Sequence, residues 1–189
     1  ILGGGIRGVY GAAAATQLEA AALTEGFTGV VGVSTGAATA AYFLAKQAAL
    51  GTTFYYEECV GKDFFSPWRM LKGGSGLDVS FIASAMRGEV GLKKLDSARV
   101  NASLVQLYVA VTNARDGNGE LLNAKEVKPD IVQAIQASMA LPNFYRKAVT
   151  IESRDYIDGG VGLVFPAKEI IERFKPTHLL VLANRPKSL

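Results

Sequence analysis

A serine, an aspartate and a histidine are the residues of this chain whose types and order allow acyl-transfer chemistry. Ser34 stands in Gly32-Val33-Ser34-Thr35-Gly36, a G-x-S-x-G pattern between an apolar stretch and a stretch of small residues. A nucleophile elbow needs this arrangement: the serine sits on a strained strand-to-helix turn, and Gly32 and Gly36 let strand and helix pass closely. A serine hydroxyl attacks poorly unless a base takes its proton. Asp158, in Tyr156-Ile157-Asp158-Gly159-Gly160, is one candidate base. His178, the single histidine, is the other, and would complete the chain order Ser…Asp…His of the α/β-hydrolases. It opens an apolar stretch, Pro176-Thr177-His178-Leu179-Leu180, rather than lying in a polar or glycine-rich loop. A histidine so placed is more often a surface residue than a base. The residues therefore favour a dyad in which Asp158 serves as base without a histidine. The plainer alternatives are a solvated turn serine and a turn aspartate, the role assigned to Asp116.

The second feature is the opening Gly3-Gly4-Gly5-Ile6-Arg7-Gly8. Its spacing fits the G-x-G-x-x-G dinucleotide fingerprint, which also wants an acid at the end of the following strand. That strand runs instead into the Ser34 pentapeptide, and Glu25 falls before it. The dinucleotide reading is weak. Successive glycines leading into a helix still expose backbone N–H groups to an anion, with the helix dipole behind them. A phosphate or the oxyanion of a tetrahedral intermediate fits such a loop, and Arg7 adds a positive charge beside it. A tight turn with no ligand is the alternative.

These residues need a scaffold, and the hydrophobic pattern supplies one. Helices are expected over 12–23, 37–50, 129–140 and 165–174, with shorter helical pieces near 54–60 and 78–86. Strands are expected over 28–33, 104–112 and 179–183. Asp116-Gly117-Asn118-Gly119 is a hairpin signal that would return the chain through Leu121-Leu122. Strands alternating with helices argue for an α/β fold with a mainly parallel sheet covered on both faces.

Composition agrees. The chain has 189 residues, 49% of them hydrophobic and 20% charged, enough to fill a core and too apolar for a disordered tail. No linker or repeat divides it, so residues 1–189 read as a single domain. The net charge of +3 does not suggest a nucleic-acid binder. A single cysteine, Cys59, excludes an intrachain disulfide. The chain begins Ile1-Leu2 without a Met or a cleavable leader, and reads as trimmed at its N-terminus. The charge-free run over 26–45 is long enough to span a bilayer, but its glycines, Ser34 and threonines fit a buried strand, turn and helix better. Phe64-Phe65-Ser66-Pro67-Trp68-Arg69-Met70-Leu71-Lys72 is either an interfacial lipid anchor or, the favoured reading, an amphipathic piece capping the core. Arg146-Lys147 and Arg185 with Lys187 read as solvated faces.

The set of motifs resembles the patatin-like phospholipases, especially their small bacterial members. Gly3-Gly4-Gly5-Ile6-Arg7-Gly8 is similar to that family's oxyanion loop, Gly32-Val33-Ser34-Thr35-Gly36 to its nucleophile motif, and Asp158-Gly159-Gly160 to its aspartate block. Ala137-Ser138-Met139-Ala140-Leu141-Pro142-Asn143-Phe144 resembles a further block that precedes the aspartate. Order and spacing agree from Gly3 to Pro166. The resemblance implies a three-layer α/β/α sandwich with a mainly parallel central sheet. It also implies a serine hydrolase cleaving acyl esters of phospholipids, lysophospholipids or neutral lipids through an acyl-enzyme. Ser34 would be the nucleophile and Asp158 the base, with Gly3, Gly4, Gly5, Ile6, Arg7 and Gly8 forming the oxyanion hole. Neither a metal nor another cofactor is expected. The partners would be a lipid or acyl-ester substrate and, transiently, a membrane surface, at a cytoplasmic or membrane-peripheral location. A His-dependent esterase, an acyltransferase and a non-catalytic lipid-binding module remain the alternatives.

Overall fold

The computed structural model describes residues 1–60, 64, 66, 68, 72 and 74–184. Five strands form one sheet: β1 Gly29–Val33, β2 Gln106–Asn113, β3 Gly119–Asn123, β4 Val149–Ile151 and β5 Arg154–Asp158. The order along the main path is β1-β2-β5-β4, and β3 also pairs with β2. The helices are α1 Gly8–Ala20, α2 Thr35–Leu44, α3 Ala48–Glu57, α4 Val79–Arg87, α5 Ser97–Ala102, α6 Ile131–Met139, the single turn α7 Gly159–Gly162, and α8 Ala167–Phe174.

The sheet lies between two helical layers, because β2 is apolar or satisfied on both faces. Leu107, Val109 and Val111 point into the main core, where residues of α2, α4 and α6 pack. On the opposite face Tyr108 lies 4.4 Å from the Phe174 ring of α8. Ala110 joins Val33 and Leu163 in a second, smaller cluster there, and Thr112 accepts a hydrogen bond from the Gly162 N–H of α7. The α/β/α architecture expected from the sequence is therefore present.

The parallel part of the sheet is the half that carries Ser34. β1 and β2 run parallel, with Val33 opposite Ala110. Ile1 extends this half, its amino group donating to the Val31 carbonyl and its own carbonyl accepting from the Val33 N–H. The other half is antiparallel: β2 with β3, β2 with β5, and β4 with β5. Tight connections join the first and last of these pairs. The Asp116-Gly117 turn is built as expected, with Gly117 at φ 75° and the Asp116 carboxylate accepting from the Asn118 N–H. A second hairpin turns at Glu152-Ser153, both with positive φ, and was not legible because neither residue is a typical left-handed one.

Other differences are local. The helix expected over 37–50 is two helices, broken at Lys46, which adopts φ 56°. α6 starts two residues later than expected, because Asp130 caps it, accepting from the Gln133 N–H, and leaves Pro129 before the helix. The strand expected over 179–183 is an extended segment tied to the rest by the Leu2 N–H donating to Leu182. One such bond is too little for a ladder. The charge-free run over 26–45 folds as β1 and α2, and no helix among the described residues is long and apolar enough to cross a membrane. In the 64–72 stretch, Phe64 packs on the core while Trp68 is 73% exposed. Phe65, Pro67, Arg69, Met70 and Leu71 lie outside the described residues, as do Arg185 and Lys187.

Candidate active site

The elbow forms where the buried strand β1 meets the small-residue helix α2. Ser34 sits between them at φ 53°, ψ −129°, a backbone conformation that L-residues disfavour. Such strain costs about 1–3 kcal/mol and persists only where neighbours enforce it. Here Gly32 and Gly36 allow the enforcement. A Cβ on Gly32 would lie 2.4 Å from Ala37 Cα, and one on Gly36 would lie 2.3 Å from the Ile1 carbonyl oxygen. Close backbone approach on both flanks is what the G-x-S-x-G spacing provides.

Asp158 ends β5, opposite Val111 of β2, and this register carries its side chain across the sheet to the elbow. Ser34 Oγ donates to Asp158 Oδ2 at 2.7 Å. Asp158 Oδ1 accepts from the Gly160 N–H at 2.7 Å, and the Asp158 carbonyl accepts from Thr112 Oγ1 at 2.8 Å. The carboxyl is only 3% exposed. Burial raises its pKa above the ordinary carboxylate value, while the hydrogen bonds from Ser34 and Gly160 oppose that rise. A buried carboxylate with an elevated pKa is a stronger base than one in water.

His178 is exposed, and Thr177 Oγ1 lies 3.2 Å from its Nδ1. Among the described residues no hydrogen bond links it to Ser34 or Asp158.

The glycine loop lies against the elbow. A Cβ on Gly3 would come within 2.7 Å of Ser34 Cβ and 3.0 Å of the Val33 carbonyl oxygen. Gly4 adopts φ 163°, and Gly5–Arg7 then forms a 3-10 turn that feeds directly into α1 at the buried Gly8. Gly5 takes φ 56° with open space around it, so its lack of a side chain serves conformation rather than packing. The N–H groups of Gly5 and Ile6 open the turn and have no acceptor within it. Gly5, Ile6 and Arg7 are all exposed, in the turn that directly follows the Gly3–Ser34 approach.

Two residues that the chemistry-based reading did not assign hold this centre together. Ser138, fully buried on α6, accepts the Ser34 N–H at 2.8 Å and donates to the Ala110 carbonyl at 2.6 Å. It lies in the stretch 137–144, but nothing in its spacing announced the bond to Ser34. Asn184, 5% exposed, accepts the Gly11 N–H at 2.8 Å through Oδ1 and donates to the Leu2 carbonyl at 2.7 Å through Nδ2. No motif surrounds Asn184, and all its partners are backbone atoms more than 170 positions away, so no sequence signal could have found it.

Because Ser138 accepts the Ser34 N–H, Ser138→Ala is expected to leave that N–H and the Ala110 carbonyl without this partner. The loss should be about 1–3 kcal/mol in urea unfolding. The freed elbow should also lower kcat about tenfold with little change in KM, measured on a p-nitrophenyl ester.

The model of the family described as "Patatin-like phospholipase" matches residues 1–171. Over 188 residues the chain is 28% identical to the uncharacterized protein YjjU of Escherichia coli strain K12, covering 99% of this chain and 51% of that protein. The chain thus spans about half the length of the curated relative it matches. Among solved structures it is similar to VipD of Legionella pneumophila, at 14% identity and a TM-score of 0.49, over 85% of this chain and 45% of that one.

Proposed function

Because the chain belongs to the patatin-like phospholipase family, we propose that it is a serine lipid acyl hydrolase working through a Ser34–Asp158 dyad. The family match supports lipid acyl hydrolysis in general. The observation that carries the dyad is the 2.7 Å hydrogen bond from Ser34 Oγ to the buried Asp158 Oδ2, at an elbow held in strained geometry.

In this mechanism Ser34 Oγ attacks the ester carbonyl carbon while its proton passes to Asp158 Oδ2. The carbonyl oxygen becomes an oxyanion, which the N–H groups that open the exposed glycine turn would stabilise, Arg7 adding its positive charge. The nucleophile's own N–H takes no part, since Ser138 Oγ holds it. Collapse of the intermediate breaks the ester C–O bond, and the leaving alcohol takes the proton from Asp158. Water then attacks the acyl-Ser34 ester, giving its proton to Asp158, and the second collapse returns that proton to Ser34 Oγ as the fatty acid leaves. The substrates that fit are carboxylic esters of phospholipids, lysophospholipids or neutral lipids, presented transiently from a lipid surface.

Fatty-acid release from lysophosphatidylcholine and from mixed phospholipid vesicles tests the reading, with His178→Ala as the discriminating variant. The dyad requires His178→Ala to hydrolyse ester at the wild-type rate. A loss of about a hundredfold or more in that variant would instead make the enzyme a histidine-dependent esterase.

A further inference from the structure

Resting on the hydrolase reading above, we infer that Asn184 is a positioning residue that holds the glycine loop in oxyanion-binding register. Three buried or half-buried backbone groups meet its one planar amide. Oδ1 accepts from the Gly11 N–H of α1 at 2.8 Å, and Nδ2 donates to the carbonyls of Leu2 at 2.7 Å and Gly3 at 3.5 Å. These groups lie on opposite sides of the Gly4–Arg7 segment, so the amide bridges the entry of the loop to the helix that leaves it. Packing reinforces the bridge. A Cβ on Gly4 would stand 3.2 Å from Asn184 Cβ, and one on Gly11 would stand 2.9 Å from Asn184 Oδ1. The loop is thus wedged, with Ser34 against Gly3 on one side and Asn184 against Gly4 and Gly11 on the other.

Only an amide satisfies all three partners. A carboxylate keeps an acceptor for the Gly11 N–H but turns an oxygen toward two carbonyl oxygens. A leucine, with the same branched skeleton but bulkier methyl ends, offers neither donor nor acceptor. Either change frees the loop to shift by a fraction of an ångström, and oxyanion donors act only at hydrogen-bond distance from the developing charge. Such a shift weakens the transition state and leaves the resting ester, which does not yet carry that charge, largely unaffected.

The test compares wild type, Asn184→Asp and Asn184→Leu on p-nitrophenyl butyrate, with inhibition by a trifluoromethyl ketone, whose adduct with the serine is a tetrahedral oxyanion. Rates are taken per folded chain. Asn184→Asp preserves side-chain volume and serves as the readout should Asn184→Leu fail to fold. The expected result is a kcat lower by about tenfold to a hundredfold, KM within about twofold, and trifluoromethyl ketone inhibition weakened by the same factor as kcat/KM. Wild-type kcat with unchanged inhibition, whatever happens to thermal stability, overturns the positioning role and leaves the hydrolase reading intact. A wild-type protein that neither turns over the ester nor forms the adduct takes both down.

Discussion

Ser34→Ala is expected to lower kcat/KM for lipid ester hydrolysis by about 10⁴-fold or more, without loss of the fold. The change removes one oxygen and keeps Cβ, so the elbow, the β1–α2 junction and the contact with Gly3 are all retained. What disappears is the atom that, in the proposed mechanism, bonds to the acyl carbon. In the proposed mechanism the glycine loop still polarises the carbonyl, so residual turnover above the uncatalysed rate is expected. Circular dichroism should be unchanged. The hydroxyl also donates to Asp158 and favours its ionised form, so a modest loss of stability at neutral pH accompanies the substitution.

Asp158→Asn is expected to lower kcat/KM by about 10³-fold or more while making the protein more stable at neutral pH. Asparagine preserves the shape of the side chain and can still accept the Gly160 N–H, but it cannot take the Ser34 proton. The stability change follows from burial. Asp158 has a folded-state pKa raised above its unfolded value, with desolvation as the leading cause. Protonated Asp158 therefore stabilises the fold fully below the unfolded-state pKa of about 4, and that contribution is lost as pH rises through the folded-state pKa. Asparagine is neutral at every pH, so its advantage over wild type in urea unfolding should be present at pH 7 and vanish near pH 4. The same raised pKa sets the acid limb of the wild-type kcat/KM profile, which should fall at a pH above the ordinary carboxylate range. A stability gap between variant and wild type that persisted unchanged at pH 4 would contradict this account.

Much of the candidate site was legible because its backbone requirements are carried by local patterns. The glycines around Ser34 report a backbone requirement at fixed spacing, and the glycine loop reports another. Both requirements appear in the structure as close approaches that a side chain would block. Asp158 was legible for the same reason, since two glycines follow it at a strand end. Setting His178 aside rested on its place in an apolar stretch; its hydrogen-bond contact is with the neighbouring Thr177. The supports of the site were not legible. Ser138 and Asn184 act on backbone atoms across 104 and more than 170 positions, and a hydrogen bond to a distant main chain leaves no pattern. In the fold, the parallel β1–β2 pair followed from buried apolar runs. The β4–β5 hairpin did not, because a three-residue strand carries too little periodicity and its turn uses Glu152 and Ser153.

The most direct measurement is labelling of the folded protein with a fluorophosphonate probe, with the modified residue located by peptide mass spectrometry. The dyad account predicts one phosphonyl group per chain on Ser34, strongly slowed labelling in Asp158→Asn, and none at that position in Ser34→Ala. Folded wild-type protein that stays unlabelled, or whose label persists in Ser34→Ala, would contradict it.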